Sequence, residues 1–214
     1  EAEIYQSAMR YYAEIMMPFR SSIKGYVTMI KSLPLELIAP SHGPLYRRPQ
    51  FILDSYEEWV SDTVKNEVVI VYVSMHGSTQ KMVEHLTDAL ITRGICVKPF
   101  NLTRTDIGEL AMALVDTATV VIATPTVLFG PHPQVVYATY LANLLKPKIR
   151  FASVIGSYGW GGKSVETIVK MLDHLKTEFI EPVMVKGLPD ETTLRELERL
   201  ADDILKKHRD SKIV

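Results

Sequence analysis

From Glu67 onward the chain alternates strand-length apolar runs with segments of helical spacing, and few architectures accept that rhythm. Five runs carry it: Val68–Val73, Ile95–Phe100, Thr119–Ala123, Ile149–Ile155 and Ile180–Val185. A helical pattern follows each, as with Met82, Leu86 and Leu90 after the first run and Leu194, Leu197, Ala201 and Ile204 after the last. The runs recur every ~25–30 residues, the length of a βα unit with its crossover. Runs that are apolar on both faces belong to a parallel sheet covered by helices on both sides. The expected fold is therefore α/β, a doubly wound five-stranded parallel sheet whose ligands lie beyond the carboxyl ends of the strands. Pro99 adds the strand order. Proline cannot donate to a sheet ladder and is confined to edges, so the second strand is an edge strand, as in the order 2-1-3-4-5.

Residues 1–49 stand outside this rhythm. Ile4, Ala8, Tyr11 and Ile15 recur at helical spacing, and Pro18 is expected to stop that helix. A second helix is expected over Ser22–Ser32, with Gly25 in its middle, and a strand over Leu35–Ala39 running into Pro40-Ser41-His42-Gly43-Pro44. A connecting helix over Pro49–Val64 leads into the first strand. Two helices and one strand cannot close a sheet core of their own, so this part reads as incomplete. The division is thus 1–49, a connecting helix over 50–65, and the sheet domain over 66–210.

Charge and composition exclude several classes. Lys and Arg total 24 against 25 Asp and Glu, which leaves no basic footprint for nucleic acid. No apolar run approaches the roughly 20 residues that span a bilayer, so no membrane role is expected. The one cysteine, Cys96, excludes a disulfide framework and suits a reducing interior; with no secretory leader, the expected location is cytoplasmic. Cys96 itself reads as a small packing residue.

Chemistry is expected in three loops. Ser74-Met75-His76-Gly77-Ser78-Thr79 joins the first strand to its helix. Its hydroxyls, its glycine and the free N–H groups of a helix start can hold a phosphate without a Lys or Arg. An ordinary turn capped by Thr79 is the alternative. Thr124-Pro125-Thr126-Val127-Leu128-Phe129-Gly130-Pro131-His132-Pro133 follows the third strand, at the point where the sheet order reverses. It is stiffened by proline and unusually apolar, which suits a flat aromatic ligand. Gly156-Ser157-Tyr158-Gly159-Trp160-Gly161-Gly162-Lys163 follows the fourth strand. Its glycines allow close backbone approach, and Tyr158 and Trp160 offer stacking faces.

Together these loops resemble the flavin-mononucleotide sites of flavodoxins, and their wording resembles flavodiiron proteins, the A-type flavoproteins. Upstream, Arg10-Tyr11-Tyr12-Ala13, Met17-Pro18-Phe19 and Ala39-Pro40-Ser41-His42-Gly43-Pro44 resemble the last stretch of that family's metallo-β-lactamase-like diiron domain. The resemblance implies a flavodoxin-like FMN domain preceded by a remnant of the diiron domain, in a chain missing most of its N-terminal half. It assigns Ser74, Met75, His76, Gly77, Ser78 and Thr79 to the phosphate. Pro125, Thr126, Val127, Phe129 and Gly130 border the ribityl chain and ring, and Ser157, Tyr158, Gly159, Trp160, Gly161 and Gly162 border the ring. His42 matches the last histidine ligand of a diiron centre whose other ligands have no counterpart here, so iron belongs only to a full-length protein. The implied partners are a donor such as rubredoxin or a reduced deazaflavin, and a second copy in a homodimer. The implied acceptor is dioxygen or nitric oxide, reduced at the diiron site.

Other readings are a flavodoxin-fold module without a redox cofactor and a nucleotide-binding P-loop. Gly162-Lys163-Ser164 suggests the P-loop, but Ser157 stands where that motif needs glycine. A signalling receiver needs acidic residues where Ser74 and Thr124 stand.

Overall fold

A computed structural model describes residues 1–214. The sheet is built from β1 (Lys65–Tyr72), β2 (Cys96–Asn101), β3 (Thr117–Val127), β4 (Gly130–Pro131), β5 (Phe151–Tyr158), β6 (Glu178–Phe179) and β7 (Val183–Lys186). Its path runs β2-β1-β3-β5-β6, with β7 also paired to β5, and all of these pairings are parallel. Pro99 does lie on the edge strand, opposite Ile70. Cys96 opens that edge and is exposed, so it does not pack the core as expected. The fifth strand is not continuous. Pro182 has no N–H to give the ladder, and the chain pairs with β5 before and after it as the two short pieces β6 and β7.

Helices α1 (Ala2–Tyr11), α2 (Arg20–Lys31) and α3 (Pro49–Val60) precede the sheet. The crossovers are α4 (Ser78–Thr92), α5 (Ile107–Ala113), α6 (Pro133–Leu145) and α7 (Ser164–Met171), and α8 (Glu191–Asp210) closes the chain. Successive residues of β1 serve opposite cores. Val68 and Ile70 pack with Met82, Leu86 and Leu90 of α4 and Leu197 and Ile204 of α8. Val69 and Val71 pack with Leu110 of α5, Val135 of α6 and Ile168 of α7. No helix is long and apolar enough to cross a membrane.

The N-terminal segment forms a further layer. Pro18 does not stop the chain's helical course: a wide π turn over Tyr12–Met16 and a tight 3₁₀ turn over Met17–Phe19 carry α1 into α2. The altered spacing on either side of the proline accommodates the N–H it lacks. Tyr12, Ala13 and Met17 are buried against Trp59 and Val60 of α3, and against Ala111, Val115 and Leu145. Arg10 clamps Asp106, the N-cap of α5, with two hydrogen bonds of 3.0 and 2.8 Å. The expected strand over Leu35–Ala39 is reduced to one antiparallel bridge, Ile38 to Tyr46, because Pro34, Pro40 and Pro44 leave it no ladder to extend.

At the far end of the sheet from the carboxyl strand ends, the imidazole of His208 on α8 is fully buried. The Thr119 hydroxyl lies 2.7 Å from its Nε2 and the Asn66 Oδ1 lies 2.8 Å from its Nδ1. The Asn66 amide donates to Gly94 O at 3.0 Å, which turns its oxygen toward the ring and assigns the Nδ1–H tautomer.

Candidate functional site

The carboxyl ends of β1, β3 and β5 deliver the three loops to one cleft of about 460 Å³. In the first loop Gly77 takes a left-handed conformation, φ 87°, where the chain turns into α4. The Ser74 hydroxyl oxygen folds the turn by accepting from the N–H groups of Gly77 and Gln80, both at 3.2 Å. The only side chain that caps the first turn of α4 is that of Ser74, at the Gln80 N–H, so Thr79 is not the cap that an ordinary turn would make of it. The N–H groups of Met75, His76, Ser78 and Thr79 find no acceptor within the chain. The Thr79 side chain lines the cleft, is 1% exposed, and its hydroxyl has no partner. Buried polar groups are ordinarily satisfied. Unpaired N–H groups, the helix dipole and an orphaned hydroxyl therefore converge where an anion would satisfy them.

The second loop is a two-residue hairpin between β3 and β4, with Val127 opposite Gly130. Leu128 and Phe129 form its tip at φ 47° and 68°. Such turns ordinarily take Asn and Gly, because a left-handed residue with a Cβ costs roughly 1–2 kcal/mol. Neighbours hold the turn in place: the Thr124 hydroxyl oxygen accepts from the His132 N–H at 2.9 Å, and Phe129 O accepts from the Lys163 N–H at 2.8 Å. Leu128 is nonetheless 92% exposed, so its side chain returns little of that cost through burial. Leu128→Asn is accordingly expected to raise stability by about 1 kcal/mol, seen as a higher denaturant midpoint with an unchanged slope. A lower midpoint would refute the strain.

The third loop bears on the second. A Cβ on Gly162 would come to 2.5 Å from Thr126 Cγ2 and 3.1 Å from Phe129 O, so this glycine admits the hairpin rather than a ligand. The Thr126 and Ser164 hydroxyls are 3.1 Å apart and tie the same two segments. Trp160 is 85% exposed at the cleft mouth, and Tyr158 lies beside it, half-buried.

All the loop residues assigned from sequence line this cleft except Gly77, Gly130 and Gly162, which shape the backbone behind it. Two lining residues went unassigned: Leu128, noticed only as apolar, and Gly187. Gly187 follows β7 and donates its N–H to Tyr158 O at 2.9 Å. The glycine at the end of the last apolar run was its signal. His42 lies elsewhere. It is exposed, sits 5.3 Å from the Tyr11 ring, and borders a second, apolar cavity of about 590 Å³ with Tyr26, Tyr46 and Tyr56. No group of three or more His, Cys, Asp or Glu side chains is placed to hold a metal ion, so the residues present do not fit a diiron centre.

Residues 70–200 match the flavodoxin family model. An uncharacterized protein of Methanocaldococcus jannaschii is 30% identical over 206 residues, 93% of this chain and 52% of that protein. A nitric oxide reductase of Moorella thermoacetica is 34% identical over 182 residues, 83% of this chain and 45% of that protein. Among solved structures, the rubredoxin oxygen:oxidoreductase of Desulfovibrio gigas superposes with a TM-score of 0.92 at 24% identity, over 98% of this chain and 54% of that one. The flavodiiron protein of Giardia intestinalis gives 0.82 at 23% identity, over 93% and 50%. The chain thus spans about half the length of the relatives it matches.

Proposed function

Because this chain belongs to the flavodoxin family and is built like part of the longer flavodiiron proteins, we propose that its cleft binds FMN as the electron-transfer module of a flavodiiron-type oxidoreductase. The observation that carries this reading is the unsatisfied Thr79 hydroxyl set among the free N–H groups of Met75, His76, Ser78 and Thr79. A phosphate monoester satisfies all of them, and the loop's lack of any Lys or Arg is no obstacle to that. Ser74 and Gly77 hold the turn in the shape that aims these donors. Pro125, Thr126, Val127 and Phe129 border the ribityl chain and one part of the ring, with Gly130 shaping the backbone behind them. Ser157, Gly159 and Gly161 form the opposite wall, with Tyr158 or Trp160 stacked on the ring. When bound, FMN supplies the exchange of one or two electrons; the protein supplies position, hydrogen bonds and exclusion of water.

In this reading residues 1–49 are the last stretch of a metallo-β-lactamase-like domain, 50–65 the connecting helix and 66–210 the FMN domain. Electrons arrive from a donor such as rubredoxin or a reduced deazaflavin. In a longer, dimeric cytoplasmic protein they pass to a diiron site that reduces dioxygen or nitric oxide. His42 by itself cannot build that site, and no step of it is assigned to this chain.

Flavin released by heat from the reconstituted chain is expected to run as FMN, one per chain. FAD, or no flavin at all, refutes the reading. Trp160→Ala is expected to weaken FMN binding about fivefold, the equivalent of about 1 kcal/mol of lost stacking, in a fluorescence titration. An unchanged dissociation constant would remove Trp160 from the site.

A further inference from the structure

One sulfur stands in the cleft. The lining holds no cysteine and a single methionine, Met75, in the loop between β1 and α4. Of the chain's nine methionines only Met29 on α2 and Met75 are exposed, at 57% and 53%; the others are buried or half-buried. Methionine ordinarily fills gaps in a core, and Met75 does not. Its companions in the loop, Ser74, His76, Ser78 and Thr79, are all polar and give the thioether nothing apolar to pack on. The Ser74 hydroxyl closes the turn at the Gly77 and Gln80 N–H groups, so the Met75 backbone is held while its side chain meets solvent. The N–H groups of Met75, His76, Ser78 and Thr79 find no acceptor within the chain. A thioether accepts hydrogen bonds weakly and leaves them free. A sulfoxide is polar, and its oxygen would be carried by a side chain rooted in this same loop.

From this juxtaposition we propose that Met75 is a peroxide-sensitive modification site whose sulfoxide closes the phosphate end of the cleft. A lone pair of the thioether sulfur attacks one oxygen of hydrogen peroxide. The O–O bond breaks, an S=O bond forms and water leaves, so the sulfur loses the two electrons that the peroxide gains. The new oxygen then accepts from the N–H groups that a phosphate would otherwise use, and its partial negative charge lies beside the phosphate's own. Both effects oppose FMN. Methionine sulfoxide reductases reverse the step with two thiols, which return the thioether and leave a disulfide and water. The proposal rests on the flavin reading, because the phosphate of FMN is what competes for those donors. Met29 is equally exposed but lies on α2, outside the cleft lining, and takes no part.

The test treats the flavin-free chain with dilute hydrogen peroxide and maps the sulfoxides by peptide mass spectrometry. Met29 and Met75 are expected to oxidise first, at least about tenfold faster than the buried Met17 and Met82. FMN affinity, read by fluorescence titration, should then fall at least about tenfold and return after methionine sulfoxide reductases and a thiol are added. Two variants locate the effect. Met29→Leu should lose affinity on oxidation as the wild type does. Met75→Leu should keep, after the same treatment, whatever affinity it had before. A Met75 that stays reduced while Met29 oxidises, an oxidised chain that binds FMN as before, or a Met75→Leu chain that loses affinity overturns the proposal. A chain that binds no FMN before any peroxide is added overturns the flavin reading, and the gating with it. The sulfoxide map needs no flavin, so the two failures register in different measurements.

Discussion

Between pH 6.5 and about 4 the folded chain is expected to lose about 3 kcal/mol of stability through one imidazole, that of His208. Burial drives its pKa from the ordinary 6.5 down to about 4, because the charged ring would be stranded away from water. Its two ring nitrogens are already engaged by Thr119 and Asn66. The protonated ring would turn Nε2 into a donor, which the Thr119 hydroxyl meets only by giving up its present role. In the unfolded chain the ring titrates normally. The unfolded state therefore binds the extra proton across this window, and stability falls as pH drops by about 1.4 kcal/mol per pH unit. Above pH 6.5 the contribution is fully present; below about 4 both states are protonated and the loss levels off. Carboxylates titrate nearby, so the informative quantity is the stability difference between the wild type and His208→Leu across pH 4–7. That difference should narrow steadily toward acid. A constant difference would mean that the buried ring accepts its proton in place.

Thr79→Val is expected to reduce FMN affinity about ten- to hundredfold, the equivalent of 1.5–3 kcal/mol for one hydrogen bond to a charged group. The change is nearly isosteric, so the cleft keeps its shape and only the hydroxyl is lost. The chain without flavin should respond in the opposite direction. Its Thr79 hydroxyl is buried and unpartnered, and removing an unsatisfied group is neutral or stabilising. Weaker binding together with unchanged or higher thermal stability is the signature of a hydroxyl kept for a ligand. Thr79→Ser should restore most of the affinity. If the valine variant binds FMN as the wild type does, the phosphate lies elsewhere.

The α/β class, the edge position of Pro99 and the gathering of three loops at one end of the sheet were all legible along the chain. Each follows from local pattern. Two-sided apolar runs demand two covering layers, and a proline without an N–H demands an edge. The passage through Pro18 was not legible. That proline has the ordinary sign of a helix stop, and only the packing of Tyr12, Ala13 and Met17 against α3 and α5 holds the π and 3₁₀ turns that carry the chain past it. The break at Pro182 was hidden for the opposite reason. Ile180 and Val183 on either side are both buried, so the apolar run looks continuous although the ladder is not.

Within the site, the sequence by itself determined which residue types reach the cleft, because loop position follows from strand order. It could not tell which glycines face a ligand. Gly162 looked like room for a cofactor, and the tertiary structure gives that room to Thr126 and Phe129 of the adjacent hairpin. Nor could it reveal that Leu128 and Phe129 occupy left-handed backbone, a conformation their side chains disfavour and that contacts across loops impose. Backbone pattern is a local property, read within a few residues along the chain. Which polar atom is left unpaired and which turn is held under strain depend on neighbours many residues away, and only the folded chain brings those together.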